Sequence, residues 1–399
     1  MASDKPNLHK ASLAGASAPF LALDIGTQWV KAAAVQDGNI IGCGKVEQQI
    51  GNMVAGAVSN INAVAGVIRQ AAMQAGVSPD AGWPCMAGAC GDLVQCVLVT
   101  VEMTRRHPER PLSSAEVAKL AATTASRTQQ QAATLLTQRT GLPYFRLELI
   151  DEVLTSISLD GCRVNDPAHF CGRHLCVTVL RSYAPSAYCN GLRGAIASAG
   201  WPDANLAATH VALAARVLPM ELYEPGAVII DIGAGSSNVV LADQQGMAGA
   251  RVIGVGGYTF TRQIALELRC DLVEAEEVKL DYAAGALERS VVAPVQRAIN
   301  TVWQVLAAAL TLAFHDLKGH QAVLPRLFLC GGGSCLPGAE VLQPPGYDLR
   351  ILDAATINQP IDNEGLLQGP LFVVLKALAA QGMVLSGYAS VRKEGKHGS

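Results

Sequence analysis

Two carboxylates, about two hundred residues apart, each stand two places ahead of a glycine: Asp24-Ile-Gly26-Thr27 and Asp231-Ile-Gly233-Ala-Gly235-Ser236-Ser237. Turns of this kind suit a polyphosphate. Glycine lets backbone N–H groups approach the oxygens, the hydroxyls add hydrogen bonds, and Asp24 and Asp231 can hold a hydrated cation. A third run, Gly331-Gly332-Gly333-Ser334, offers bare backbone against which a flat ligand can lie. A fourth, Gly254-Val-Gly256-Gly257, is read as a phosphate-proximal loop, with a purely structural turn as the plain alternative.

These turns need strands to hold them. Leu21 to Gly26 and Val228 to Gly233 each read as a buried strand entering the turn. Val30 to Val35 and Val239 to Ala242 read as the returning strands, closed by turns at Asp37-Gly38 and Gln245-Gly246. The repeat predicts two halves of similar build whose turns face one another across a cleft. Between the hairpins, a long helix is expected over Asn52 to Ala75, ended by Gly76 and Pro79, and a strand over residues 94 to 103. The Ser113-Ser-Ala-Glu116 capping box opens a helix running toward Gln138, stopped by Gly141 and Pro143. Strands follow around Glu148 to Ser158 and Leu175 to Leu180, then a helix from Pro185 to Ser198 and an apolar segment over 206 to 217. The second half carries helical stretches over Thr259 to Ala284 and Pro294 to His315, a buried strand at Arg326 to Cys330, and an apolar helix near Leu371 to Ala380.

Half of the 399 residues are apolar and only 16% are charged, with a net charge of −3, which is a core-rich α/β composition without a nucleic-acid footprint. The eleven cysteines are scattered and form no CxxC pair, which fits a reducing cytoplasm. Cys171 and Cys176, with His169 and His174 beside them, approach a metal spacing, but the alternation through Leu175 to Val179 reads better as a strand. Met1 to Pro19 lacks the apolar run of a signal peptide and reads as a flexible arm. No stretch is long and charge-free enough to read as a membrane span. There is no GxxxxGK[ST] and no GxGxxG, so neither a P-loop nor a dinucleotide fold has support. Isolated histidines such as His210 and His315 read as packed or surface residues.

Asp24-Ile-Gly-Thr, Asp231-Ile-Gly-Ala-Gly-Ser-Ser and Cys330-Gly-Gly-Gly-Ser resemble the phosphate 1, phosphate 2 and adenosine motifs of the actin-like ATPase superfamily, over most of residues 20 to 380. Three further segments resemble the bacterial cell-division FtsA family. Asp160 to Pro167 is similar to a tract of its small 1C subdomain. Val255 to Thr261 is similar to its Gly-Gly turn, and Glu274-Ala-Glu276-Glu-Val-Lys279 to its ribose-facing helix. The resemblance implies ATP and Mg²⁺ as cofactors. Asp24 and Asp231 would hold Mg²⁺ through water. Gly26, Thr27, Gln28, Gly233, Gly235, Ser236 and Ser237 would wrap the phosphates, with Gly256 and Gly257 close by. Lys31 falls where actin's hairpin carries a phosphate-contacting lysine, a solvated strand lysine being the alternative. Glu276 and Lys279 would meet the ribose, with a surface charge pair as the alternative, and Gly332, Gly333 and Ser334 the adenosine. No catalytic residue is identified beyond Asp231 as a water-positioning group.

Two departures temper the resemblance. The second turn of the family usually reads Gly-Gly-Gly-Thr-Thr-Asp; here Asn238 takes the last place, removing a charge and a candidate base, so at most a slow Mg-dependent ATPase is expected. The family usually ends in an amphipathic membrane-targeting helix, whereas this chain stops soon after Arg392 and Lys393. The expected fold is α/β, a duplicated actin-like ATPase fold with an FtsA-type small subdomain inserted in the first half. The expected organisation is an arm at 1–19, a first half from 20–88 and 177–216, and a small subdomain at 89–176. A second half follows from 217–257 and 321–385, with a helical insertion at 258–320 and a basic tail at 386–399. The implied function is an ATP-binding, filament-forming protein acting in cell division with FtsZ or other divisome proteins. It would lie in the cytoplasm, meeting the membrane only through partners, with no nucleic acid and no direct anchor. The alternative is a PilM-like cytoplasmic adaptor of a type IV pilus or secretion assembly. A small-molecule kinase lacks a second carboxylate-rich site between the halves, and a DnaK-type chaperone lacks a β-rich substrate domain.

Overall fold

The computed structural model describes residues 18–54, 56–142, 146–164, 167–217, 226–243, 246–317 and 326–394. The arm as far as Ser17, Pro143, Asn165, Asp166, Gln245 and the tail from Gly395 lie outside them. In chain order the first elements are β1 (Phe20–Ile25), β2 (Trp29–Gln36), β3 (Asn39–Glu47), β4 (Met53–Val54), β5 (Ala57–Val58), α1 (Ile61–Gln74) and β6 (Cys85–Ala89). Next come β7 (Gln95–Thr104), α2 (Ser114–Ala122), α3 (Ala125–Thr140), β8 (Leu147–Leu159), β9 (Cys162–Arg163) and β10 (His174–Pro185). They are followed by α4 (Ser186–Ala199), β11 (Ala204–Ala208), α5 (Thr209–Arg216), β12 (Ala227–Ile232), β13 (Ser237–Asp243) and β14 (Gly246–Ile253). The chain continues through α6 (Gly257–Leu268), α7 (Leu272–Ala284), α8 (Arg289–Leu317), β15 (Arg326–Cys330), β16 (Asp348–Ile351) and α9 (Val373–Glu394).

The duplication read from the turns is a duplication of whole sheets. One sheet runs β3-β2-β1-β6-β11 and the other β14-β13-β12-β15-β16. In each, the hairpin strands pair antiparallel and the next two strands join parallel. A parallel neighbour needs a crossover, and the crossovers are where extra structure enters. Between β6 and α4 lies a four-stranded sheet, β7-β10-β8-β9, with α2 and α3. Between β14 and β15 lie α6, α7 and α8. β1 and β12 are buried at every position, as central strands covered on both faces must be. Helix α9 follows the second sheet in sequence but packs with the first: Val373, Leu375 and Leu378 share a core with Leu21, Leu23 and Ala87.

Several helix boundaries depart from the sequence reading, each for a local reason. The helix expected from Asn52 begins only at Ile61, where the Asn60 side chain accepts from the Ala63 N–H; Met53–Val54 and Ala57–Val58 pair as two short antiparallel strands instead. The helix after Ser113 breaks at Thr123-Thr124, whose hydroxyls donate back to the Leu120 and Ala121 carbonyls at 2.6 and 2.7 Å. The stretch from Thr259 to Ala284 divides at Arg269, which takes a left-handed conformation (φ 57°), and Asp271 caps the second helix. The short apolar helix expected at Leu371 extends to Glu394. Strands β6, β11 and β16 carried no alternation that marked them. Helix α8 has the length and mean hydropathy (1.3 over its best window) of a membrane span, which the sequence reading did not anticipate. One face of it is core, with Ile299, Trp303 and Leu306 buried and Trp303 packed edge-on against Phe260 at 4.8 Å.

Candidate functional site

The two hairpins place matching atoms at matching positions. Asp24 pairs across its hairpin with Lys31, and Asp231 with Asn238. The Gly26 N–H donates to the Trp29 carbonyl at 3.0 Å, and the Gly233 N–H to the Ser236 carbonyl at 3.0 Å. Both carboxylates are buried, at 6% and 8% exposure, while Gly26 to Trp29 and Gly233 to Ser236 stay half-exposed. The turns are thus the open ends of two otherwise covered strands, and they meet: a Cβ built on Gly235 would lie 3.2 Å from Thr27 Oγ1.

The partner opposite each aspartate differs, and so does its charge. Lys31 Nζ lies 2.5 Å from Asp24 Oδ2 and donates to the Leu371 carbonyl at 2.9 Å, so Lys31 is a buried ion-pair partner, not a solvated strand lysine. Among the described residues, the partner of Asp231 Oδ2 is the neutral Asn238 amide, which donates to it at 3.1 Å. Burial, with the Asp24 charge adding to it, pushes the Asp231 carboxyl up to about 6, against the smaller opposing effects of Asn238 and Lys31. The same two aspartates, second to burial, raise the Cys90 thiol to about 12, so both carboxylates and Lys31 share one electrostatic neighbourhood.

The Gly256-Gly257 turn is built onto the second hairpin. A Cβ at Gly256 would fall 2.6 Å from the Ser236 nitrogen, and the Gly257 and Tyr258 N–H groups donate to the Gly233 and Ala234 carbonyls at 2.8 Å each. The Ser237 hydroxyl, fully buried, donates to the Val255 carbonyl at 2.7 Å and so braces this junction. Among the third motif's residues, Gly331 packs against Asp231: its φ is +82° and a Cβ there would lie 2.5 Å from Asp231 Oδ1. Gly333 presses on Ile232 and Ser334 donates to the Gly331 carbonyl at 2.7 Å; of the motif's last three residues only Gly332 is exposed.

Glu276, partly buried, and Lys279, buried, form an ion pair at 2.7 Å on one face of α7, not a surface one. The Thr261 hydroxyl donates to Glu276 Oε2 at 2.5 Å, and Lys279 also reaches Thr261 at 3.0 Å and the Gly257 carbonyl at 3.3 Å. Burial lowers the Lys279 ammonium from its ordinary range, with Glu276 opposing. Gln28, on the first hairpin, donates to Glu276 Oε1 at 2.9 Å and so spans from one half to the other.

Two residues at this site were not read as site residues from the sequence, although Tyr258 lies within the Val255 to Thr261 segment. Gln48, just past the end of β3, donates to the Gly26 carbonyl at 2.7 Å and holds the first turn from behind. Tyr258 opens α6, and burial, followed by Glu276 and Glu47, raises its phenol to about 12. Gln48 Oε1, Tyr258 Oη and Asn238 Oδ1 are buried without a hydrogen-bond partner. Three orphaned polar atoms around two glycine turns fit a polar ligand in the cleft. Among the described residues no group of three or more His, Cys, Asp or Glu is placed for a metal. A cation held by Asp24 and Asp231 would therefore keep most of its water, as Mg²⁺ does.

The family model for cell division protein FtsA matches residues 228–340, which takes in the second hairpin, α6 to α8 and the third motif. The FtsA of Neisseria meningitidis serogroup B is 25% identical over 272 residues, covering 67% of this chain and 62% of that protein. The FtsA of Streptococcus pneumoniae serotype 2 is 25% identical over 224 residues, covering 51% and 49%. The matched stretches thus span about half to under two thirds of these relatives. Among solved structures, a PilM–PilN type IV pilus biogenesis complex aligns with a TM-score of 0.63 at 20% identity, over 91% of this chain and 98% of its own. Two like-built sheets with Asp-x-Gly hairpins turned toward one another, taken with these likenesses, give the chain an actin-like fold with a sequence similarity to FtsA centred on residues 228–340.

Proposed function

We propose that the chain binds ATP with Mg²⁺ in the cleft between the two hairpins and assembles into filaments of the FtsA type. The observation that carries this reading is the contact of Thr27 with Gly235, which brings two half-exposed turns of equal build to one place. In it, the free N–H groups of the two turns and the Thr27 and Ser236 hydroxyls bind phosphate oxygens, while Gly256 and Gly257 keep the second turn in shape. Glu276 and Lys279 face the ribose side from α7, and Gly332 is the glycine of its run open to the adenosine. Asp24 and Asp231 would hold Mg²⁺ through water, and the ion would offset phosphate charge. Asp231, short of a cationic partner, loses its proton more readily when a cation is near. No side chain opposite Asp231 can act as a base, since Asn238 stands there, so turnover well below the common enzyme scale of about 10 s⁻¹ is expected.

The decisive measurement is calorimetry or thermal shift with Mg-ATP, because a ligand that binds only the folded state raises its stability by mass action. Binding that is Mg²⁺-dependent and blunted in Asp231→Ala supports the reading; no binding at about millimolar nucleotide leaves a scaffold without the activity. Asn238→Asp is expected to raise phosphate release, and unchanged turnover would remove this position from the account. Residues 89–176, as the small subdomain, would reach a neighbouring protomer head-to-tail, a contact that does not close and so propagates. ATP-dependent sedimentation of the purified chain, and co-pelleting with FtsZ, test the assembly and the division role.

A second reading rests on the whole-length likeness to the PilM chain, which exceeds the coverage of the matched FtsA sequences. In it the same cleft serves a cytoplasmic adaptor of a pilus or secretion assembly. Failure to co-pellet with FtsZ, with nucleotide binding intact, would favour it.

A further inference from the structure

A cavity of about 300 Å³ lies where the inserted sheet meets the second half, lined from α3 by Leu135, Gln138 and Arg139 and from β14 by Ala250, Arg251 and Val252. Asn238 reaches it from β13, Cys96 from β7 of the inserted sheet and His210 from α5. It is held in place by Arg139, which donates to the Val252 carbonyl and pairs with Asp92 at 3.2 Å. Its charge is one-sided. Burial lowers His210 to about 4 and raises Cys96, so the imidazole and the thiol, 2.5 Å apart, are both neutral near pH 7. No carboxylate is among its lining residues, and with Arg139 already paired to Asp92, Arg251 is the lining cation whose charge is not offset by a described carboxylate. Arg251 donates to the Ala250 carbonyl at 3.0 Å and has no carboxylate partner among the described residues. The remaining wall sets apolar Val94, Leu135, Ala250 and Val252 beside the amides of Gln95 and Gln138.

We propose that this cavity is a second binding site, for a small organic carboxylate with a short apolar body. The guanidinium of Arg251 takes the carboxylate, since a planar fork matches two oxygens, Arg139 stays with Asp92 and the Val252 carbonyl as a wall of the site, and the apolar residues take the body. The site shares only Asn238 with the nucleotide cleft and requires nothing bound there.

Ligand-observed NMR titration of the full chain with hexanoate tests it, with acetate and inorganic phosphate as comparison probes. Hexanoate is expected to saturate with a dissociation constant of about 1 mM, the scale open to so few atoms, and to bind about tenfold tighter than acetate or phosphate. Arg251→Gln should weaken it about tenfold, and Gln138→Trp, which fills the cavity from an exposed position on α3, should abolish it. Both positions lie outside the core, and thermal melting checks that the variants fold. Absence of saturation in the unmodified chain overturns the proposal. So does equal binding of phosphate or acetate, which would remove the role of the apolar wall, and so does undiminished binding in both variants.

Discussion

Asp231→Asn should make the protein more stable while making it less responsive to nucleotide. Raising the carboxyl from 3.8 to about 6 means that the folded chain disfavours ionised Asp231 by about 3 kcal/mol, each tenfold change in acidity being worth about 1.4 kcal/mol. The sign follows from proton counting. Between those two pH values the folded chain keeps a proton that the unfolded chain releases, so stability falls as pH rises through the window. Above it the ionised, buried carboxylate subtracts the full amount. Asparagine keeps the shape and still accepts from the Asn238 amide, but carries no charge. At about pH 7.5 the variant should therefore gain up to about 3 kcal/mol, or several degrees in melting temperature; at about pH 4.5 most of that gain should be gone. Differential scanning calorimetry across this range, with and without Mg-ATP, reads both effects. A variant that melts at or below the unmodified chain near neutrality would refute the reasoning, as would a gain that does not grow with pH. The combination of higher stability and lost ligand response marks a residue retained for binding at a cost to the fold.

Lys279→Met should destabilise by about 3 kcal/mol because it strands the Glu276 carboxylate, partly buried, without its cation, whereas Glu276→Gln with Lys279→Met should recover most of that; a thermal double-mutant cycle that shows no coupling would return the pair to surface status. Gly331→Ala should cost more than about 2 kcal/mol, from its left-handed φ and from the 2.5 Å approach to Asp231 Oδ1, while Gly332→Ala, with 3.4 Å of room, should be tolerated; circular-dichroism melts compare them. Arg105 holds the Glu116 carboxyl down to about 2, so its contribution to the inserted sheet is present above about pH 4.5 and lost as pH falls toward 2. Glu116→Gln should remove about 1 kcal/mol of that acid-sensitive stability, a figure kept low because the carboxylate is one-third exposed, and hydrogen exchange in α2 would detect it.

What the sequence determined by itself is the part governed by local chemistry. A strand that must turn sharply beside an aspartate needs glycine, so both hairpins were legible from a few residues each, and the duplicated strand pattern followed from the buried runs beside them. Capping had the same reach: Ser113 with Glu116 marked the start of α2 correctly. Helix ends set by side-chain competition, as at Thr123-Thr124, were not legible, because nothing in a periodic pattern says whether a threonine hydroxyl turns inward. The tertiary structure alone decided which groups of each motif remain open. Ser237 and Ser334 read as ligand hydroxyls, yet the carbonyls they meet belong to Val255 and Gly331, positions that only the packed turns bring near. It also decided that Gln28 would find Glu276, 248 residues away, that Gln48 would brace Gly26, and that Asp231 would lack the cation given to Asp24. Turn geometry depends on neighbours along the chain, whereas burial, charge pairing and hydrogen-bond satisfaction depend on neighbours in space, and only folding assigns those.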